Sequence, residues 1–91
     1  MMNETTFRVM LASKGFPEPA VIERDANLVT TDHVHDYAAS ALILDGEISV
    51  VTAQGTSTCR AGDTFSLDSG ITHHEEYGPQ GARLLFSRRE A

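Results

Sequence analysis

The feature that most limits how this chain can fold is its punctuation. From Ala20 onward, short β-prone runs are cut by turn signals at nearly regular spacing, the pattern of an all-β sandwich or barrel. The clearest case is Ala41-Leu42-Ile43-Leu44, then Asp45-Gly46, then Glu47-Ile48-Ser49-Val50-Val51-Thr52. Asp-Gly supplies the positive φ angles of a type I′ turn, so this stretch reads as a tight hairpin. Gln54-Gly55, Ala61-Gly62-Asp63, Asp68-Ser69-Gly70 and Gly78-Pro79-Gln80-Gly81 mark further reversals, with strands expected over 56–60, 64–67, 71–77 and 82–88. Upstream, Phe7-Arg8-Val9-Met10-Leu11 is expected to open the sheet, and Gly15-Phe16-Pro17-Glu18-Pro19 to interrupt it, since two prolines cannot supply ladder donors. A strand over 20–23, a turn at Asp25-Ala26-Asn27 and a strand over 28–36 follow, giving about nine short strands and no helix.

The 91 residues make one domain, 1–91, near the small end of what folds alone. Hydrophobic residues at 41% and charged residues at 22% suffice for one core and exclude disorder by composition. Thirteen acidic against seven basic side chains give a net charge of -6, the wrong sign for attraction to nucleic acid or an anionic membrane. Arg88-Arg89 is too short to reverse this and reads as a solvated terminal pair. There is no apolar run of membrane-spanning length, and Met1-Met2-Asn3-Glu4-Thr5 lacks a signal peptide's basic start and apolar stretch, so the expected location is cytoplasmic. Cys59 is the single cysteine, which rules out an internal disulfide or a cysteine-based metal knot and leaves it as core filler.

All four histidines fall in two clusters, His33-Val34-His35 and His73-His74. On a strand, side chains two apart face the same way, so His33 and His35 enter one interior space. With His73 they would present three neutral imidazoles to a divalent transition metal, whether iron, zinc, nickel, copper or manganese, with positions left for a ligand. The bland alternative is a barrel whose histidines fill the mouth of a pocket and bind nothing. His74 has the opposite parity to His73 and is expected outside. Glu75 and Tyr77 share the inward parity of His73. Glu75 then serves as fourth ligand, as hydrogen-bond partner of an imidazole or as proton acceptor, unless it is exposed at a strand end. Tyr77 points a phenol into the pocket or packs at the rim. Asp32, Asp36 and Glu76 are expected at the surface. Arg83 either reaches a substrate carboxylate or is a solvated strand residue.

These residues resemble the cupins, small β-barrels of jelly-roll topology defined by two motifs, over roughly residues 28 to 86. His33, His35 and Gly46 stand at the first motif's places (33–46), with Ala39 where its glutamate belongs. Gly62, Gly70 and His73 match the second motif (62–77), in which Asp68 stands for the usual proline and Tyr77 for the closing asparagine. The resemblance implies a single-domain β-barrel of a three-histidine type that lacks the first-motif glutamate. It leaves two functions open. One is a metalloenzyme, dioxygenase-like or isomerase-like, acting on a small polar molecule, with Glu75 or Tyr77 handling protons. The other is a non-catalytic binding or sensing module. A homodimer is expected, because a domain this small has exposed sheet edges and the Phe7 to Leu11 strand has apolar residues for a neighbour.

Overall fold

A computed structural model describes residues 1–90. The order of elements is α1 (Glu4–Ser13), β1 (Ala20–Arg24), β2 (Tyr37–Thr52), β3 (Gly55–Arg60), β4 (Thr64–Leu67) and β5 (His73–Glu90). Architecture is mostly β, as expected, but the first element is a helix where a strand over Phe7 to Leu11 was expected. Its cause is local. The Asn3 side chain accepts from the Thr6 amide at 2.8 Å, capping the N-terminus, and Glu4 adds an acid to the first turn. Phe7 and Leu11, one turn apart, then lie on one face, and both are fully buried against Leu42 and Leu85. A ten-residue helix is too short to persist alone, so this contact, about 1.5–3 kcal/mol per buried side chain, is what holds it. The N-terminal residues expected to pair with a neighbour are therefore used within the chain.

The second correction concerns strand number, which is five rather than about nine. β2 and β5 are long and run straight through segments that read as turns. They pair antiparallel from Tyr37↔Glu90 to Thr52↔His73, with register shifts between Ile43/Asp45 and Gly46/Ile48. Asp45-Gly46 is thus a bulge inside β2 and not a hairpin, and 78–81 is continuous with β5 and not a reversal. Gly46 has φ +84, and a Cβ there would sit 2.1 Å from the Gly81 carbonyl oxygen. Gly81 has φ +70, and its Cβ would meet the Arg24 carbonyl oxygen at 2.3 Å. Opposed glycines let three strands cross closely where the sheet bends.

In the sheet the order is β1-β5-β2-β3, with β4 also paired to β2. β4 lies along Ala39 to Leu42 and β3 along Glu47 to Thr52, both on the side of β2 away from β5. Among the described residues β1 and β3 are open edges, so hydrogen bonding does not close the sheet. Alternation gives the sheet two apolar faces. Leu42 and Leu85 lie under α1, while their neighbours Ile43 and Leu84 join Ile48, Val50, Tyr77 and Ala82 on the other face. Cys59 is buried in that second cluster, its thiol 3.8 Å from the Thr64 carbonyl oxygen, in agreement with a filler role. With the helix covering one face, the other is free to line a cavity.

Candidate metal centre

The segment 28–36 is not a regular strand; it lies against the start of β5 through isolated bridges Val29↔Glu76 and His33↔His73. His33 N–H donates to the His73 carbonyl at 2.8 Å and His73 N–H to that of His33 at 2.9 Å, so backbone pairing fixes the spacing of these two side chains. Thr30 strengthens the contact, since its N–H donates to the Glu75 carbonyl at 3.0 Å and its hydroxyl accepts from the Glu75 amide at 2.9 Å. His33 and His35 point into the same cavity as His73, and one donor atom from each of the three lies within 4.8 Å of the others.

Both bridging histidines are oriented identically. Nδ1 of His33 is 2.7 Å from the Thr31 carbonyl oxygen and Nδ1 of His73 is 2.9 Å from that of Ile71. A carbonyl only accepts, so each Nδ1 carries a proton, and the neutral form of each ring turns the lone pair of Nε2 toward the cavity. His35 is held differently, stacked on Tyr37 at 4.5 Å between centroids and 15° between planes. The Arg88 guanidinium lies 4.8 Å from the centroid of that tyrosine. Burial, and then the neighbouring His33 and His73 rings, lower the pKa of His35 below its ordinary value, favouring the neutral imidazole that a metal requires.

Glu75 shares this space. Its Oε2 is 3.0 Å from Nε2 of His33 and 3.4 Å from Nε2 of His73, yet the buried oxygen has no hydrogen-bond partner. The distances suit an ion pair, but the geometry is not that of a hydrogen bond, and with both Nδ1 protons committed the facing nitrogens offer lone pairs. With both rings neutral, three acceptors converge with no donor among them, an arrangement that a cation between them resolves. Tyr77 is buried beside Glu75; burial first, and then the Glu75 charge, raise its pKa, while Arg24 pulls it part of the way back. Its hydroxyl stays protonated.

These groups line a cavity of about 480 Å³, whose walls are otherwise mainly apolar and include Ala39, Phe65, Leu67 and Phe86. The strand parity read from the sequence places His73, Glu75 and Tyr77 together here, and His74 and Glu76 outside. His74 is engaged at Nδ1 by Asp32 at 3.1 Å and at Nε2 by Glu76 at 2.8 Å. The Glu76 contact foremost, then Asp32, raises its pKa. Arg83 pairs with Asp45 at 2.9 Å on the outer surface, and Asp36 is exposed. Two wall residues were missed in the sequence, Arg24 and Tyr37. Parity carried the signal for both, since Arg24 is two places from Ile22 on β1 and Tyr37 two places beyond His35.

No protein-family model and no curated protein matches this sequence. Solved structures do. An RmlC-like cupin from Shewanella frigidimarina superposes with a TM-score of 0.67 at 22% identity, over 81% of this chain and 68% of that one. The Cnp3 cupin domain of Schizosaccharomyces pombe gives 0.70 at 22% identity, over 82% of this chain and 55% of that chain. The chain has the cupin fold. An oxalate decarboxylase from Lactobacillus farciminis, solved with formate, also matches at TM-score 0.67 and 22% identity, over 81% of this chain and 24% of that one. The glycines at the second motif's places, Gly62 and Gly70, both have positive φ, +89 and +83, which only glycine adopts without strain. The first motif's glutamate place, Ala39, faces the same cavity as Glu75.

Proposed function

We propose that residues 1–91 form one metal-binding cupin domain in which His33, His35, His73 and Glu75 hold a single divalent transition ion, and that the domain is a metal-dependent enzyme acting on a small molecule. The carrying observation is the convergence of the orphaned Glu75 Oε2 with the lone-pair nitrogens of His33 and His73. Imidazole and carboxylate together suit zinc, iron(II), manganese, nickel or copper. Such an ion supplies Lewis acidity toward an oxygen of a bound molecule. The chain's own residues do the rest. Thr31 and Ile71 carbonyls orient two rings, the Tyr37 stack orients the third, Tyr77 offers a neutral hydroxyl to the bound molecule, and Glu75 is a carboxylate able to take up a proton. The occurrence of an oxalate decarboxylase on this fold supports catalysis as a use of the cavity without choosing the reaction.

The alternative, a module that binds a small molecule without turning it over, is favoured by the solvent-exposed Arg24 and Thr31 on the cavity wall, where a water-excluding reaction needs a cover. Elemental analysis of protein purified without added metal tests the metal, and oxygen uptake or product formation against small thiols, diketones and phenols separates the two functions. Near-stoichiometric iron with turnover supports the enzyme; ligand binding with no turnover selects the module; protein that stays empty when offered every one of these metals defeats the enzyme. The same reading takes the protein as cytoplasmic and homodimeric, the open β1 edge with exposed Val21 being the surface that invites pairing. A light-scattering mass near the 9.9 kDa of one chain would remove the dimer.

A further inference from the structure

The seven basic side chains of this acidic protein are almost all engaged. Arg8 pairs with Glu4 and Glu18, Arg60 with Glu47, Arg83 with Asp45 and Arg88 with Glu90, while Arg89 covers the Phe16 ring. Among the described residues Arg24 is the one arginine with neither a carboxylate partner nor an aromatic ring beneath its guanidinium. It donates from Nη1 to the neighbouring Glu23 carbonyl at 3.0 Å and lies beside the Tyr77 hydroxyl. It is also the one arginine on the wall of the cavity that holds the three histidines. In a chain of net charge -6, a guanidinium left without a carboxylate at that place calls for an anion from outside.

We infer that the cavity takes a small monocarboxylate with an apolar body, its carboxylate held by Arg24 beside the Tyr77 hydroxyl and its body against Ile22, Phe65, Leu67 and Phe86. This rests on the proposed function for the ion and adds to it the class of ligand. A planar guanidinium matches a planar carboxylate through two parallel N–H···O bonds. One arginine balances one negative charge, and the second charge of a phosphate or phosphonate dianion would meet no further arginine on this wall. Tyr77 fits the role because it lines the same cavity as Arg24 and its phenol is a hydrogen-bond donor that can reach the same carboxylate. A cavity of about 480 Å³ lies within the usual range for small-molecule sites, and the side formed by Ile22, Phe65, Leu67 and Phe86 offers a polar body nothing to bond to.

The test uses the full chain, zinc-loaded and metal-free, with four probes of matched shape or charge: phenylacetate, its neutral counterpart 2-phenylethanol, benzylphosphonate and acetate. Affinities are read from amide shifts in NMR titrations, and zinc content is measured separately. Phenylacetate should bind at least about tenfold more tightly than each of the others, the difference a charge-assisted pair makes. Arg24→Gln should abolish most of its advantage over 2-phenylethanol while leaving zinc content unchanged. Equal binding of phenylacetate and 2-phenylethanol overturns the inference, as does a preference for benzylphosphonate, a carboxylate preference that survives Arg24→Gln, or no phenylacetate binding below about 10 mM. The two readings fail separately. Protein that takes no zinc but grips phenylacetate through Arg24 loses the metal and keeps the anion site; protein that takes zinc and ignores Arg24→Gln does the reverse.

Discussion

Replacing Glu75 with glutamine should move stability and metal affinity in opposite directions. In metal-free protein Oε2 is buried, has no hydrogen-bond partner and faces the lone pairs of two imidazoles, on a side chain only 18% exposed. An unsatisfied buried polar group costs about 1–3 kcal/mol, and partial exposure places this one at the lower end. A glutamine amide can turn its N–H toward Nε2 of His33, replacing an acceptor-acceptor contact with a hydrogen bond. Glu75→Gln should therefore stabilise the metal-free protein by about 1 kcal/mol, raising Tm by roughly 4–8 °C for a domain of this size. With metal the sign reverses, because a neutral amide is a poor substitute for an anionic donor, and affinity should fall by about 10- to 100-fold. Paired melts in chelator and in excess zinc, with zinc affinity from competition with a chromophoric chelator, give both quantities on one preparation. A variant that melts lower in chelator, or that keeps wild-type zinc affinity, would refute the placement of Glu75 at the ion.

Three further outcomes follow from the same geometry. Tyr37→Leu should weaken zinc or cobalt binding and alter the ligand-field spectrum of the cobalt form, while Tyr37→Phe, which keeps the ring stacked on His35, should restore both; no change with leucine refutes the orienting role. Gly46→Ala should destabilise the fold by more than about 2 kcal/mol, through positive φ and a Cβ 2.1 Å from the Gly81 oxygen, as read by urea denaturation. A hairpin turn would tolerate alanine better, so a small effect restores the turn. The raised pKa of His74 means that its imidazolium adds stability that is fully present below the unfolded value of 6.5 and is lost as pH rises through the higher folded one. In chelator, His74→Gln should accordingly lower Tm at about pH 5.5 and leave it unchanged at about pH 9; the same loss at both would rule out the Asp32 and Glu76 contacts as its source.

What was legible in the sequence was parity. His73, Glu75 and Tyr77 on one side, with His74 and Glu76 on the other, needed only the period of a strand, and β4 over Thr64–Leu67 needed only its flanking turns. What was not legible depended on contacts distant in sequence. Asp45-Gly46 has the local chemistry of a turn, and it becomes a bulge because Gly81, thirty-five positions later, leaves room for the strands to cross. Gly78-Pro79 looks like a break and is carried through because it is bound on both sides, Tyr77 facing Ile48 and Ala82 facing Gly46. The helix is a different kind of miss. Asn3 has the chemistry of a cap and Phe7 and Leu11 stand one turn apart, but the β-prone residues around them read as a strand. Arg24 went unread because its inward parity is set by Ile22, and a five-residue edge strand gives that parity little emphasis.

The two isolated bridges that lay 28–36 against β5 also bear on how long an ion stays. His33 and His35 ride on this one segment, whereas His73 and Glu75 belong to the sheet. Release therefore need not wait for the sheet to unfold. It requires that the segment lift, breaking the His33 and His73 backbone pair, the Thr30 contacts with Glu75 and the bonds from the Gly70 and Tyr77 amides to the His35 and Leu28 carbonyls. Residence time then becomes a property of local opening, with a free energy below that of global unfolding. Thr30→Val never touches the ion yet removes one of those contacts, and it should speed zinc exchange into a fluorescent chelator with little change in Tm. The hydroxyl of Thr30 would act as the catch on a hinged door rather than as part of what the door encloses.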